Sequence, residues 1–264
     1  MAFSGRASQV PLRTKRMMIR LPKIIPFRGL TATPNTIAER LLGLQIDLRD
    51  FYDVALSDST LGPLLREVQG VKPPRLPTVF ESVVSAIACQ QKKLTEGIRL
   101  LNRVAKLCGL ATAEDRQACA FPLPEDLVRL GVGPGSSGPR TLRELGFSYH
   151  KAHSILDLAL SIVDGNVDLE SITTLTDEGA RSRLVALPAV GRWGAEFVLL
   201  RGLGRLHIFP ADDVDARNSL QQWLHLQNPV GHADVGHIRP HWKPYAGLIY
   251  FCLLLRAGAT TSSS

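Results

Sequence analysis

Two segments near the carboxyl end combine a backbone turn with charged side chains. The first is the run 187–196, Leu-Pro-Ala-Val-Gly-Arg-Trp-Gly-Ala-Glu, and the second is 209–213, Phe-Pro-Ala-Asp-Asp. The amino end of a helix carries unpaired N–H groups and the positive end of the helix dipole, and such an end binds phosphate. A carboxylate beside it can stabilise positive charge that develops during a reaction. The two segments therefore indicate a phosphate grip next to a potential catalytic carboxylate.

The first segment predicts a helix, a hairpin and a second helix. Residues 178–187 carry apolar side chains at helical spacing. Pro188 then removes an N–H donor, and Gly191 is expected to take a left-handed turn, so the helix must stop. Apolar residues resume in the segment 195–200 and predict a second helix from Arg192. Taken alone, this pattern also fits an ordinary helical hairpin in a bundle.

The second segment opens a third helix with two acidic residues. Asp212 is expected to be the amino-terminal cap of a helix that runs through Leu220 and Trp223. Asp213 is then either a partner of the helix dipole or a carboxylate that points into a cleft. The hairpin that ends shortly upstream favours the cleft, which makes Asp213 the candidate catalytic residue.

With these segments, the chain resembles the helix-hairpin-helix (HhH-GPD) superfamily of DNA glycosylases, in particular the AlkA type of 3-methyladenine DNA glycosylase II. Further motifs occur in the order and spacing of that family. They are Arg-Leu-Pro-Thr-Val-Phe-Glu at 75–81, Ile-Ala-Cys-Gln-Gln at 87–91, Ala-Phe-Pro-Leu-Pro-Glu at 120–125, Leu-Arg-Glu-Leu-Gly-Phe at 142–147 with Lys-Ala at 151–152, and Trp-Lys-Pro-Tyr at 242–245. Several motifs in one order are more specific than any one of them.

The resemblance implies a mainly α, two-lobed helical fold with a cleft between the lobes. The amino-terminal β domain of AlkA-type enzymes is absent or reduced, because the chain is short in front of its helices. We expect a basic arm or remnant strand at 1–32, the helical glycosylase domain at 33–258 and a disordered tail at 259–264. The arm is rich in arginine and lysine and has no acid before Glu39. An arm that follows DNA phosphates is favoured over a targeting peptide.

Apolar periodicity supports this helical reading. The predicted helices before the hairpin are 33–44, 48–55, 61–68, 80–88, 94–108, 125–130, 140–145, 149–164 and 168–174.

The resemblance also implies a reaction. A glycosylase of this type flips a damaged base out of double-stranded DNA and hydrolyses its N-glycosidic bond, leaving an abasic site. The implied substrates are alkylated purines such as 3-methyladenine and 7-methylguanine. Relatives that also cleave the backbone carry a lysine where this chain has Trp193, so no lyase activity is expected. Two alternatives remain open: a glycosylase for a neutral deaminated or oxidised base, and a non-catalytic helix-hairpin-helix DNA-binding protein.

Family position assigns the remaining site residues. The expected substrate pocket consists of Trp193, Phe197, Trp242 and Tyr245, each with core packing as the alternative. The expected DNA contacts are Gln90, Gln91, Lys92, Pro188, Ala189, Val190, Gly191, Arg192, Gly194 and Lys243. Gln91 is expected to fill the gap left by the flipped nucleotide. Ala189 departs from the family, which has glycine there. The backbone carbonyls of Val185, Leu187 and Val190 are placed by position alone at a possible Na⁺ or K⁺ site.

Composition agrees with these expectations. The net charge of +7 and pI near 9.5 suit DNA, although they also fit RNA or a membrane surface. Cys89, Cys108, Cys119 and Cys252 are too scattered for the iron-sulfur cluster of other superfamily branches, so we expect thiols in a reducing compartment and no such cofactor. No apolar run is long enough to span a bilayer. The expected protein is a monomer in the bacterial cytoplasm, associated with the nucleoid.

Overall fold

The computed structural model describes residues 39–67, 70–108, 119–132, 136–235 and 240–261, and within these ranges the chain is helical with no β-strand. Residues 39–42 are α-helical. The α-helices that follow are α1 (Arg49–Ser57), α2 (Leu61–Glu67), α3 (Val79–Cys89), α4 (Leu94–Leu107), α5 (Pro124–Val128), α6 (Ser137–Glu144), α7 (Tyr149–Val163), α8 (Asp177–Val185), α9 (Arg192–Phe197), α10 (Val214–Trp223) and α11 (Ala246–Thr261). A π-helical turn, Val198–Gly202, continues α9, and 3₁₀ helices occupy Glu170–Thr174 and Pro240–Tyr245. The expected mainly α fold is confirmed.

The first lobe is organised around α3, the most buried helix of this lobe. Eight of its eleven residues are apolar, and every residue is buried except Glu81, which is half-buried. Thr78 begins the helix as a cap, because its hydroxyl oxygen accepts the Glu81 N–H at 3.0 Å. The helix packs against α4, α7, α9 and the π-helical turn. Helix α9 therefore packs directly against the central helix of the first core.

The second lobe contains α1 and α2 together with α10 and α11. Phe51 and Leu61 of α1 and α2 share a core with Leu220 of α10 and Leu253 of α11. Between the two cores, Leu200, Ala216 and Tyr250 form a small buried cluster from the π-helical turn, α10 and α11. The start of α10 thus lies where the two lobes meet.

Gly247 fixes α11 against the segment that leads to α10. A side-chain Cβ at this position would lie 2.6 Å from the Ile208 carbonyl oxygen and 2.7 Å from that of Leu206. The Gly247 N–H donates to the Leu206 carbonyl at 2.7 Å. Only glycine allows this approach, which brings Tyr250, in the next turn of α11, close to the start of α10.

Most of the predicted helices agree with the described ones within two residues at each end, as for α3, α4 and α7. The segment predicted as helix at 168–174 is a 3₁₀ helix, Glu170–Thr174. The last helix runs to Thr261, past the boundary expected at 258. The arm at 1–32 and residues 262–264 of the tail lie outside the described residues. Among the described helices, none has the length and apolar character needed to cross a membrane.

Candidate active site and hairpin

The hairpin turns at Ala189. Thr176 caps the start of α8, and after the end of that helix the Val190 N–H donates to the Leu187 carbonyl at 3.2 Å. Ala189 has φ +61°, whereas Gly191 has φ −87° and ψ −176°, an extended conformation. The expectation that Gly191 makes the left-handed turn is therefore wrong. A left-handed alanine costs about 1 kcal/mol, which explains why glycine suits this position.

Two of the predicted DNA contacts, Val190 and Gly194, are buried where the hairpin packs against α3. Val190 is 5% exposed, and Gly194 is buried. A Cβ on Gly194 would lie 3.4 Å from Val190 Cγ1 and 3.7 Å from Ala86 Cβ of α3. Val190 and Gly194 can therefore reach DNA only through their backbone. Pro188 and Arg192 are exposed at the tip and at the start of α9.

The amino end of α9 has no side-chain cap. Gly191 is the N-cap residue, and its carbonyl accepts the Ala195 N–H at 2.9 Å. Since glycine has no side chain, the N–H groups of the first turn receive no local side-chain acceptor. Arg192 stands beside them, with its Nε 3.4 Å from Asp212 Oδ2. The hairpin thus presents backbone donors and one exposed cation.

Asp213, and not Asp212, is the cap of α10. The Asp213 Oδ1 accepts the Ala216 N–H at 2.9 Å. Asp212, which was expected in that role, pairs with Arg192 and lies 3.9 Å from His232 Nε2. The turn from Pro210 to Asp213, closed by the Asp213 N–H at 3.0 Å from the Pro210 carbonyl, places the cap one residue later than expected.

The second carboxylate oxygen of Asp213 has two further donors. Trp193 Nε1 donates to Asp213 Oδ2 at 3.2 Å, and the Tyr250 hydroxyl donates to the same oxygen at 2.8 Å. Burial, followed by the charge of Asp213, raises the pKa of Tyr250 well above its ordinary value, so its hydroxyl stays protonated. Sequence reasoning missed Tyr250, because a tyrosine in the apolar helix α11 gives no sign of the carboxylate that it contacts.

Aromatic rings extend from Asp213 into the first lobe. The rings of Trp193 and Phe197 are 5.3 Å apart and tilted by 31°. Trp193 is half-buried and Phe197 buried. The Arg201 guanidinium lies 5.9 Å from the Phe197 ring and 5.7 Å from the Phe251 ring, and burial lowers the pKa of Arg201. The structure therefore brings Trp193 and Phe197 together beside Asp213.

Trp242 and Tyr245, the other expected pocket residues, pack in the second core. Trp242 stacks on Trp223 at 5.3 Å, and its Nε1 donates to Asp58 at 2.8 Å. Tyr245 lies 5.1 Å from the Phe51 ring. These contacts support the core alternative for both, and a pocket role for them stays a prediction.

Lys243 is exposed and borders a cavity of about 330 Å³ that is also lined by Glu196 and His232. Asp213 does not line this cavity. The burial of Glu196 raises the pKa of its carboxyl, whose Oε2 accepts the Ala211 N–H at 2.9 Å. Contact of Lys243 with DNA stays a prediction.

The loop after α3 lies next to the hairpin. A Cβ on Gly191 would lie 3.4 Å from the Gln90 side-chain nitrogen, and the Gln90 carbonyl accepts Lys151 Nζ at 2.6 Å. Gln91 is exposed with φ +56°, a strained conformation for glutamine. Lys92 is exposed nearby, and its charge adds to burial in lowering the pKa of Lys151. Gln90, Gln91 and Lys92 thus share one surface region with the hairpin, as a common DNA-facing role requires.

The backbone carbonyls predicted to bind Na⁺ or K⁺ lie at the end of α8 and in the hairpin. Val185 is the last residue of α8, and the Leu187 carbonyl accepts the Val190 N–H while keeping a second lone pair. A bound cation there stays a prediction.

The four cysteines form no disulfides, and Cys89 and Cys252 are buried. The described residues contain no cluster of metal-ligating side chains.

Relatives with similar sequences include DNA repair enzymes. The chain is 24% identical over 211 residues to DNA-3-methyladenine glycosylase of Bacillus subtilis, covering 80% of this chain and 67% of that protein. It is 26% identical over 218 residues to DNA-3-methyladenine glycosylase 2 of Escherichia coli, covering 82% of this chain and 72% of that protein. The match to B. subtilis YfjP, 26% identical over 168 residues, spans only 55% of that protein. No family model matches the chain.

Solved structures show the same fold. The 3-methyladenine DNA glycosylase of Archaeoglobus fulgidus superimposes with a TM-score of 0.72 at 26% identity, over 84% of this chain and 73% of that chain. The Mag1 glycosylase of Schizosaccharomyces pombe, in complex with abasic DNA, gives a TM-score of 0.62 at 22% identity, over 76% and 93% of the two chains. In its sequence and its fold, the chain is similar to AlkA-type 3-methyladenine DNA glycosylases and to the helix-hairpin-helix superfamily of DNA glycosylases.

Proposed function

We propose that the protein is a DNA glycosylase that removes alkylated purines, 3-methyladenine and 7-methylguanine in particular, by hydrolysis of the N-glycosidic bond. The observation that carries the proposal is the Asp213 carboxylate, held by Ala216, Trp193 and Tyr250 beside an aromatic surface and near an uncapped helix end. The names of the relatives support this substrate class.

The hairpin and the loop after α3 are the proposed DNA contacts. The uncapped N–H groups at the start of α9 and the exposed Arg192 suit a phosphate. Gln91 projects from the adjacent loop in a strained conformation, which suits the side chain that fills the space of the flipped nucleotide. The net charge of +7 adds a general attraction to the DNA backbone.

The proposed reaction needs little acid catalysis. A purine alkylated at N3 or N7 is positively charged, so it leaves with the electrons of the glycosidic bond and becomes neutral. Positive charge then develops on the sugar, where the anionic Asp213 stabilises it. Water adds to C1′ and leaves an abasic site. Trp193 and Phe197 are placed to contact the cationic base through their ring faces.

The side chains around Asp213 support hydrolysis without strand cleavage. Strand cleavage by a lyase needs an amine that attacks C1′, and Trp193 stands at the family's lysine position. Lys151, which contacts the loop after α3, donates its amine to the Gln90 carbonyl at 2.6 Å. Neither side chain offers a nucleophilic amine at Asp213.

A glycosylase for a neutral deaminated or oxidised base is the second candidate. The Arg201 guanidinium lies between the rings of Phe197 and Phe251, and its positive charge disfavours a cationic base nearby. Arg201 is partly engaged elsewhere, since its Nε donates to the Pro74 carbonyl at 2.7 Å. A substrate panel separates the two candidates.

The test is base release from methylated duplex DNA, with the freed bases separated by chromatography. We expect release of 3-methyladenine and 7-methylguanine, and strand breaks only after alkali. Release of hypoxanthine or an oxidised base in place of methylated ones would favour the second candidate. Tight DNA binding without any release would favour a non-catalytic DNA-binding protein.

We also propose that the protein acts as a monomer in the bacterial cytoplasm and needs no cofactor beyond a monovalent cation at the hairpin carbonyls. The second lone pair of the Leu187 carbonyl is consistent with such a ligand. The measurement is thermal unfolding in potassium chloride against choline chloride at equal ionic strength. A higher Tm in potassium is expected, and equal Tm values would remove the cation from the proposal.

A further inference from the structure

Three donors hold the Asp213 carboxylate, and one of them has no counterpart in the sequence motifs. Ala216 N–H binds Oδ1, while Trp193 Nε1 and the Tyr250 hydroxyl bind Oδ2. We propose that Tyr250 is a positioning residue that holds the Asp213 carboxylate in one orientation, so that its charge stabilises the sugar cation. This inference rests on the proposed glycosylase function.

The orientation of the carboxylate follows from bonds at both oxygens. Rotation about the last side-chain bond of an aspartate is otherwise loosely restricted. In Asp213, the helix cap fixes Oδ1, and Tyr250 together with Trp193 fixes Oδ2. Because α10 and α11 supply donors to different oxygens, the plane of the carboxylate is locked to the junction of the two lobes.

Tyr250 is itself held firmly. It is 3% exposed, and its ring makes an edge contact with Phe209 at 5.3 Å and 73°. One turn before Tyr250, the close approach of Gly247 to the Leu206 and Ile208 carbonyls fixes α11 in place. The Tyr250 hydroxyl can therefore act as a fixed donor and cannot follow a carboxylate that rotates away.

The charges around this pair leave Tyr250 as a neutral donor. Burial and the negative charge of Asp213 raise the pKa of Tyr250. The positive charge of Arg201, in the turn after α9, lowers this pKa, but the rise is larger. Arg217 of α10 donates to the Ala211 carbonyl, and Asp212 pairs with Arg192.

A carboxylate that acts through its charge and its fixed orientation suits a substrate whose base is already cationic. The departing purine takes the bonding electrons and needs no proton, and the water that adds to C1′ releases its proton to solvent. Neutral bases gain less from such a site, because they leave more slowly without protonation. Tyr250 would thereby contribute to selectivity for alkylated purines.

The test compares Tyr250→Phe with wild type in single-turnover base release from methylated duplex DNA. We expect the rate to fall about tenfold, the loss of one hydrogen bond to a charged group, with DNA affinity unchanged. The matched control is Tyr52→Phe, which removes a hydroxyl that accepts the Gly70 N–H in the second lobe.

A second measurement places Tyr250→Phe in an Asp213→Asn background. If Tyr250 acts through Asp213, it causes no further loss of the residual rate there. Independent losses in the double variant would overturn the inference. Failure of the wild type to release methylated bases would instead refute the proposed function. An effect equal to that of Tyr52→Phe would assign Tyr250 a structural role and also overturn the inference.

Discussion

The amino ends of α9 and α10 lie near each other and use the same backbone groups in opposite ways. The α9 end begins at Gly191, which has no side chain to cap it, and it stays available to an external anion. The α10 end is capped by Asp213, whose Oδ1 satisfies the Ala216 N–H. One helix end is left open for binding, whereas the other fixes the carboxylate proposed for the chemistry.

The comparison shows how small a sequence difference separates the two uses. Glycine or aspartate at the N-cap decides whether the first turn is an anion site or an internally satisfied end. Trp193, in the first turn of α9, links them, because its Nε1 donates to Asp213. DNA binding and base release are therefore expected to be adjacent in space but separable by mutation.

Substitution of Asp213 is expected to have the largest effect. Asparagine caps a helix about as well as aspartate but carries no charge. Asp213→Asn should therefore keep the fold and lower single-turnover base release by about a thousandfold. Asp213→Ala should lose activity equally and also about 1 kcal/mol of unfolding free energy. Urea unfolding and base release, measured on both variants, check this, and an active Asp213→Asn would refute the role of the charge.

Introduction of a cap at Gly191 should convert the open helix end into a closed one. The extended backbone of Gly191 accepts any residue, and the nearest side-chain atom leaves room for a Cβ. Gly191→Asp is expected to weaken duplex binding about tenfold, since its carboxylate both satisfies the N–H groups and repels phosphate. Gly191→Ser is the matched control, a cap without charge, and should weaken binding less. Equal affinity of all three proteins would contradict a phosphate site at the hairpin.

The start of α3 extends the comparison to a third helix end. Thr78 provides the cap there, and Glu81 in the first turn is placed so that burial raises its pKa from the ordinary 4.5 to about 7. The folded state then holds a proton that the unfolded state has lost between these values. Stability should therefore fall by about 3 kcal/mol as pH rises from about 4.5 to 7.

Glu81→Gln should abolish that part of the pH dependence, because glutamine does not titrate. Unfolding free energies at pH 5 and pH 7.5, compared between wild type and variant, measure it. An unchanged pH dependence in Glu81→Gln would show that other groups cause the slope.

Ala189→Gly should give the smallest effect. Glycine relieves the cost of the left-handed alanine, at φ +61°, and loses part of that gain through greater freedom of the unfolded chain. We expect a net stabilisation of about 0.5 kcal/mol. Ala186→Gly, at a right-handed position of the same hairpin, is the control and should destabilise. Destabilisation by both would argue against strain at Ala189.

The elements of the site were largely predictable from the sequence, and its internal bonding was not. Apolar spacing and Pro188 predicted two helices around a hairpin, close to the observed α8 and α9. Neither spacing nor composition reveals which residue of a tight turn has positive φ, and residue type alone favours Gly191 over Ala189. The start of α10 differs by one residue for the same reason: the sequence predicts Asp212 as the cap, and the structure has Asp213 in that role.

Contacts between distant parts of the chain account for the rest. The bond between Tyr250 and Asp213 depends on the packing of α11 against residues 206–208, which periodicity cannot show. Trp242 matched a family motif, yet its stacking on Trp223 is set by how the second lobe closes. Helical periodicity reports which face is buried, but not against which partner.

The most direct test measures duplex affinity and base release on the same preparations of Asp213→Asn and Gly191→Asp. We predict that Asp213→Asn binds methylated DNA like wild type but releases base about a thousandfold more slowly. Gly191→Asp should bind weakly yet release base at a near-normal rate once DNA is saturating. If each variant loses binding and release together, the two helix ends do not have separate roles, and the account is contradicted.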